Sequence, residues 1–319
     1  MRRLAVEERN DWRWWVTPRP LAAKPIHRWY VFPHSFASEL VYALIEEWGL
    51  TSDDHILDPF VGAGTTLLAA KERGIAATGY DLSPLAVLVT AVKISNYDVE
   101  RLRDLWSQLR HRIGQTSSNR PLNTYPELVQ RALPGKLLGA FDEIQRAIER
   151  LEATRDERSF FSLALLSTIR QHSRAAANGG WLRWIERQGS PEQVLADFTD
   201  ATELMLGDLN GSRLLGGARW SVRRADARAL PDAGPAYSAV ITSPPYPNRH
   251  DYTRVFGVEL MFGFLDWEQT RQLRYQSFHS HPEARPLRPE TSGYVRPRRL
   301  AETVPQIREG PGSPRDDDD

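Results

Sequence analysis

Cysteine is absent from this 319-residue chain. The absence removes disulfides, thiolate zinc sites and any mechanism that needs a sulfur nucleophile. Lysine is scarce as well. Only Lys24, Lys71, Lys93 and Lys136 occur, so 37 of the 41 basic residues are arginines. Basic and acidic residues balance at 41 each. That excludes a global basic field, and any contact with nucleic acid has to come from a local patch. Arginine's planar fork suits phosphates and guanine edges, although a GC-rich genome produces the same bias. No run of about 18 apolar residues is present, so no membrane span is expected. The opening MRRLAVEERNDWRWW carries no apolar core of a signal peptide. The eight histidines are scattered without ligand spacing, so no metal site is expected. A soluble, cytoplasmic protein with no membrane partner is the resulting expectation.

What is present is enough to fold. Hydrophobic residues make up 41% of the chain, which supports a core of one large domain or two modest ones. Residues 1–98 open with an irregular aromatic arm (Trp12, Trp14, Trp15, Trp29, Tyr30) expected to pack on something else. The spacing predicts a helix over 36–48, capped by Ser35 or Ser38. A buried strand ending near Asp58 follows, then a helix over 65–73 stopped by Gly74. A second strand covers 75–81 and a second helix opens at Pro84. Strand, helix, strand and helix in this order imply parallel strands with right-handed crossovers. Residues 99–216 read as a helical insertion with no interrupting strand, a candidate for target recognition. Strands resume in 217–270, at 220–227 and within 237–246, and a last helix is predicted over 254–265. Residues 271–319 hold seven of the 22 prolines and end in four aspartates; this tail is expected to be disordered.

Two strings carry chemistry. In ILDPFVGAGTT, Asp58 sits at a strand end, Gly62 and Gly64 lie in the turn, and a helix begins near Thr65. Small residues let backbone approach a ligand, and the helix start offers free N–H groups. Asp81 ends the next strand, where a carboxylate can accept from a ribose diol. A phosphate-cradling loop would need Gly-Lys-Ser/Thr, and no lysine follows Gly64. The dinucleotide fingerprint would need a third glycine where Leu67 stands. The plain alternative is a tight turn with a satisfied carboxylate. The second string, ITSPPYPNRHDY, follows an apolar strand. Ser243, Pro244 and Pro245 offer hydroxyl and carbonyl acceptors on a rigid backbone, and Tyr246 offers a face for stacking a base swung out of a duplex. Two acceptors gripping an aromatic amine would free its lone pair for attack. The ordinary alternative is a surface turn.

Together, DPFVGAGTT and TSPPY resemble the signature motifs of bacterial DNA amino-methyltransferases, the cytosine-N4 and adenine-N6 enzymes. The resemblance implies a Rossmann-like α/β sheet and S-adenosylmethionine as cofactor. It assigns cofactor binding to Asp58, Pro59, Phe60, Gly62, Gly64, Thr65 and Asp81, with Asp226 facing the adenine and Phe36 closing over the methionine end. It assigns catalysis to Ser243, Pro244, Pro245 and Tyr246. Serine before Pro-Pro-Tyr is the commoner form in the cytosine-N4 enzymes. The implied partners are double-stranded DNA and a cognate restriction nuclease. The family's sheet has seven strands and four are readable here, which leaves the tail or a second chain to supply the rest, or an incomplete, non-catalytic remnant that binds DNA or cofactor. A transfer-RNA guanosine-N2 methyltransferase is the other alternative, although such enzymes usually carry Asp before the prolines. A cytosine-C5 enzyme is excluded, since its chemistry needs a cysteine. Smaller expectations are that His172, Arg174 and Arg183 face phosphates, and that His27–Tyr30 and Asn248–Asp251 line the base pocket.

Overall fold

The computed structural model describes residues 9–115, 121–178, 181–210, 219–231, 236–245 and 251–277. The aromatic arm runs through three short 3-10 turns and buries Leu21, Trp29, Tyr30 and Phe32. Helix α1 (Ser38–Glu47) follows. Its cap is Ala37, with no side-chain bond. Ser38 instead accepts from Lys24 Nζ at 2.7 Å, so neither serine caps as expected.

Strand β1 (His55–Asp58) leads through the glycine turn into α2 (Thr65–Glu72). Strand β2 (Ala76–Asp81) leads into α3 (Pro84–Ile94), which Ser83 caps. The turn packs hard on β2: a Cβ on Gly79 would lie 2.1 Å from Val61 Cγ1, so only glycine fits there.

The inserted region contributes α4 (Val99–Arg112), α5 (Glu127–Ala132), α6 (Lys136–Glu149), α7 (Arg155–His172) and α8 (Pro191–Leu209). Capping boxes start α7 (Thr154 with Glu157) and α8 (Ser190 with Gln193), reciprocal bonds that satisfy two orphan N–H groups each. The expectation of unbroken helix is corrected here. An antiparallel hairpin, β3 (Ala175–Asn178) and β4 (Trp181–Trp184), separates α7 from α8. Three alanines favour helix by intrinsic propensity, but the Asn-Gly-Gly that follows is a strong hairpin signal and prevails.

Strands β5 (Trp220–Arg224) and β6 (Ala239–Val240) complete a four-stranded sheet in the order β5-β2-β1-β6. Every pair is parallel, as the strand–helix alternation demands. The fold is therefore α/β and consistent with a Rossmann-like methyltransferase sheet. The expected last helix is divided at Phe256 into α9 (Tyr252–Val255) and α10 (Gly257–Gly263). A further helix, α11 (Trp267–Gln276), begins in a capping box of Asp266 and Gln269. It crosses the point at which the tail was expected to begin; residues from 278 onward lie outside the described part.

Two apolar clusters hold these elements. One joins α1 and α2 to the strands through Val41, Ile45, Ile56, Leu67 and Ile241. The larger runs from α3 through the inserted helices to α10, with Phe141, Phe160, Phe161 and Phe198 fully buried. Among the described residues no helix is long and apolar enough to cross a membrane.

Candidate active site

All four strands of a parallel sheet point the same way, so their carboxyl ends share one edge. Here that edge opens on a cleft. The turn after β1 contributes Pro59, Phe60, Gly62 and Thr65 to its wall. The ends of β2 and β5 contribute Asp81 and Asp226, and the segment after β6 contributes Ser243 and Pro245. Phe36, from the segment before α1, faces the same space. The two sequence strings, some 180 residues apart, thus meet at one cavity.

Asp58 and Gly64 stand behind the wall. Asp58 is 2% exposed and accepts from Phe60 N at 3.0 Å and Thr242 Oγ1 at 2.7 Å. It is the tie between the two strings. Thr66 Oγ1 adds a second tie, donating to the Ile241 carbonyl. Burial pushes the Asp58 carboxyl up to about 6, against those same hydrogen bonds. Pro244 is exposed and outside the cleft lining, and Tyr246 lies outside the described residues.

Asp81 receives Gly62 N at 3.0 Å and Ser83 N at 2.9 Å. Burial raises its carboxyl, while these backbone donors favour the ionised form. Each oxygen keeps a second lone pair for a hydroxyl donor in the cleft. Burial would also raise Asp226, but the Arg228 guanidinium, bonded at 2.6 to 3.1 Å, holds its carboxyl below the ordinary value.

The remaining walls are aromatic and aliphatic: Phe32, Val61, Phe256 and Leu260. Phe32 and Phe256 rings lie 4.3 Å apart by centroids. Apolar faces around two carboxylates on neighbouring strand ends suit a ligand with a flat heterocycle, a diol and a soft cation.

His27–Tyr30 do not line the cleft. His27 is 1% exposed, with Nε2 3.3 Å from Glu72. Arg28 pairs with Asp208, Trp29 Nε1 donates to Asp208 at 3.0 Å, and Tyr30 donates to Glu259 at 3.2 Å. These four side chains anchor the arm, and the wall is built just downstream by Phe32, His34, Ser35 and Phe36. His172 is also corrected: it is buried against Phe141 and lies 2.8 Å from Asp197, so it faces no phosphate. Asn248–His250 lie outside the described residues. Asp251 is buried, paired with Arg274 at 2.9 Å, while its neighbours Tyr252 and Thr253 reach the cleft.

Sequence reasoning missed Lys93. Its Nζ is fully enclosed and donates to three carbonyls, His27 O at 3.0 Å, Tyr30 O at 2.8 Å and Ala63 O at 2.9 Å. It therefore clamps the arm to the glycine turn. Burial pushes its pKa down to about 7. The signal was visible: a lone lysine inside the apolar run LAVLVTAVKI.

Residues 7–91 match a family model of N6/N4 methyltransferases described as DNA methylase. The chain is 28% identical over 283 residues to the Type II methyltransferase M.BsoBI of Geobacillus stearothermophilus, covering 78% of this chain and 55% of that protein. It is 29% identical over 279 residues to Type II methyltransferase M.AvaI of Nostoc sp. PCC 7120, covering 78% and 57%. A shorter match, 33% over 97 residues, is to Type II methyltransferase M.MjaII of Methanocaldococcus jannaschii, covering 30% and 18%. The chain thus spans a little over half the length of the first two relatives. No solved structure matches it.

Proposed function

From its likeness to DNA amino-methyltransferases, we propose that the chain methylates an exocyclic amino group of a base in double-stranded DNA, with S-adenosylmethionine as donor. One observation carries the reading: the glycine turn after β1 and Ser243 and Pro245 after β6 line the same cleft. A donor at one and an amine at the other would be neighbours.

The residues fit the cofactor. Asp81 offers acceptor capacity at the end of β2 for a ribose diol, and Asp226 stands one strand over for the adenine amine. The faces of Phe32, Phe36 and Phe256 favour a sulfonium. When bound, the donor supplies an activated methyl group; positioning does most of the remaining work. Ser243 and the carbonyls of the two prolines accept from the amine's N–H bonds, which steers its lone pair out of the ring. Tyr246 is assigned to stacking against the extruded base. Asp58 fixes the separation of the two halves through Thr242.

Serine at position 243 favours cytosine N4 over adenine N6. The Type II relatives support a role in a restriction–modification system beside a cognate nuclease. The test is transfer of labelled methyl from S-adenosylmethionine to duplex DNA, followed by nucleoside mass spectrometry. N4-methylcytosine is expected. N6-methyladenine would overturn the assignment to cytosine. Cofactor binding without transfer to any duplex would leave a binding remnant and sink the enzyme reading.

A further inference from the structure

The chain carries no net charge, so a duplex must be held by a local surface rather than by the whole field. The hairpin β3–β4 has the make-up of such a surface. Its root is fixed. Arg174 N donates to the Ala132 carbonyl at the end of α5 (2.9 Å), and Ile185 N donates to the Arg174 carbonyl (2.8 Å). Arg187 Nη1 reaches the Ser173 carbonyl at 3.1 Å. Ala175 is buried and Leu182 packs on the large helical cluster.

The root also places the hairpin beside the cleft. Ala175–Ala177 and Leu182 face Val255 and Val258 of α9 and α10 across a small cavity. On the same short helix α9, Tyr252 and Thr253 reach the candidate active site. One turn of helix therefore separates the hairpin from the cleft where an extruded base would sit.

Beside Ala177 and Asn178, the hairpin and its root show arginine and an aromatic ring to solvent. Arg174 and Arg183 are exposed, as is Arg131 on α5. The Arg131 guanidinium lies 3.9 Å from the ring centroid of Trp184, itself 38% exposed. Among the described residues none of these three arginines has a carboxylate partner. Arg28, Arg146, Arg170 and Arg228, by contrast, are each paired with an acid. An arginine without a carboxylate is available to phosphate, and one laid flat on an indole is preorganised for it. A two-stranded ribbon is also of a width that the major groove of B-form DNA admits.

We infer that the β3–β4 hairpin, with Arg131 of α5, is the surface that grips duplex DNA beside the candidate active site; this rests on the DNA reading above. Arg131, Arg174 and Arg183 hold backbone phosphates, and Trp184 braces Arg131. The hairpin then fixes where along the duplex a base is presented to the cleft.

The full chain, titrated into a fluorescent duplex at several salt concentrations, tests this. Each phosphate contact adds about 0.9 to the slope of log K against log salt. The variant Arg131→Ala/Arg174→Ala/Arg183→Ala is expected to lose about 2 to 3 of that slope. Arg183→Glu, at an exposed strand position least able to disturb folding, is expected to weaken duplex binding about tenfold or more. Both variants are expected to bind S-adenosylmethionine within about twofold of wild type, since neither touches the cleft. Wild-type duplex affinity and slope in both variants, while the wild-type chain methylates DNA, overturn the hairpin assignment alone. A wild-type chain that binds no duplex, or prefers structured RNA at equal salt, overturns this assignment and the DNA reading together.

Discussion

An ammonium has three N–H bonds, and Lys93 finds three carbonyls for them at 2.8 to 3.0 Å with no solvent around. Two of those carbonyls belong to the arm and the third to Ala63, between the two glycines of the cofactor turn. Lys93→Met keeps most of the volume but leaves three buried acceptors unmatched, at about 1–3 kcal/mol each. We expect a loss of at least about 3 kcal/mol in denaturant unfolding and a cofactor affinity reduced about tenfold or more. Lys24→Met, which removes only a half-exposed lysine bonded to Ser38 and Glu39, serves as the comparison and should lose little of either. Equal behaviour of the two variants, by calorimetry and urea titration, would show that the clamp does nothing. The sequence revealed that a charge sits among apolar neighbours at position 93. It could not reveal the partners, because they are backbone carbonyls 30 to 66 residues away and any residue type supplies a carbonyl. Asp58 repeats the lesson. Its place at a strand end was legible from the glycine pattern, whereas the bond from Thr242 that joins the two motifs depends on the pairing of β6 with β1.

At the scale of elements, turns with forced geometry were the most legible. Gly64 sits at φ +79° as the cap of α2, and an added Cβ would lie 2.8 Å from Thr90 Oγ1 and 3.1 Å from Thr90 Cα. Gly49 has a similar φ of +63° with nothing within 4 Å. The pair separates strain from collision. Gly49→Ala should cost about 1–2 kcal/mol, the left-handed penalty alone. Gly64→Ala should cost clearly more, because α3 must shift as well, and it should abolish measurable cofactor binding. Thermal unfolding of both variants alongside cofactor titration checks this; equal destabilisation with binding retained in both would refute the close approach. The elements that escaped sequence reading did so for physical reasons. Strand β6 is two residues long, too short for any periodicity to declare it, and it was found only through its apolar flank. The β3 strand is built of alanines whose propensity speaks for helix, so the tertiary ladder and the Asn-Gly-Gly decided the outcome. Helix α11 had its capping box, Asp266 and Gln269, in plain view, but the proline-rich composition beyond it drew the boundary too early.

Across the whole molecule, the inserted helices and the cleft are joined through the arm. Asp208, on α8, has a side chain only 3% exposed. It accepts from Ile26 N at 3.0 Å, Trp29 Nε1 at 3.0 Å and Arg28 Nε at 3.0 Å, with Arg28 Nη2 closing a bidentate pair. These partners stand about 180 residues earlier in the chain. A few residues beyond them, Phe32 and Phe36 form one wall of the cleft. A carboxylate of the inserted region, bonded to the arm, therefore sets the position of a cofactor-facing surface, which no local pattern in the sequence could announce. Asp208→Asn tests the connection. The amide replaces an acceptor oxygen by a donor facing other donors, and Arg28 loses its counter-charge. Breaking a buried pair in this way costs about 3–5 kcal/mol when the survivor stays dry. Arg28 is 33% exposed and can regain water, so about 2–3 kcal/mol is expected here. If the arm is held mainly at Asp208, the same variant weakens S-adenosylmethionine binding severalfold although position 208 lies outside the cleft. Asp200→Asn, at an exposed position of the same helix, should change neither quantity. A destabilised Asp208→Asn chain that still binds cofactor as wild type does would show that Lys93 alone suffices to seat the arm.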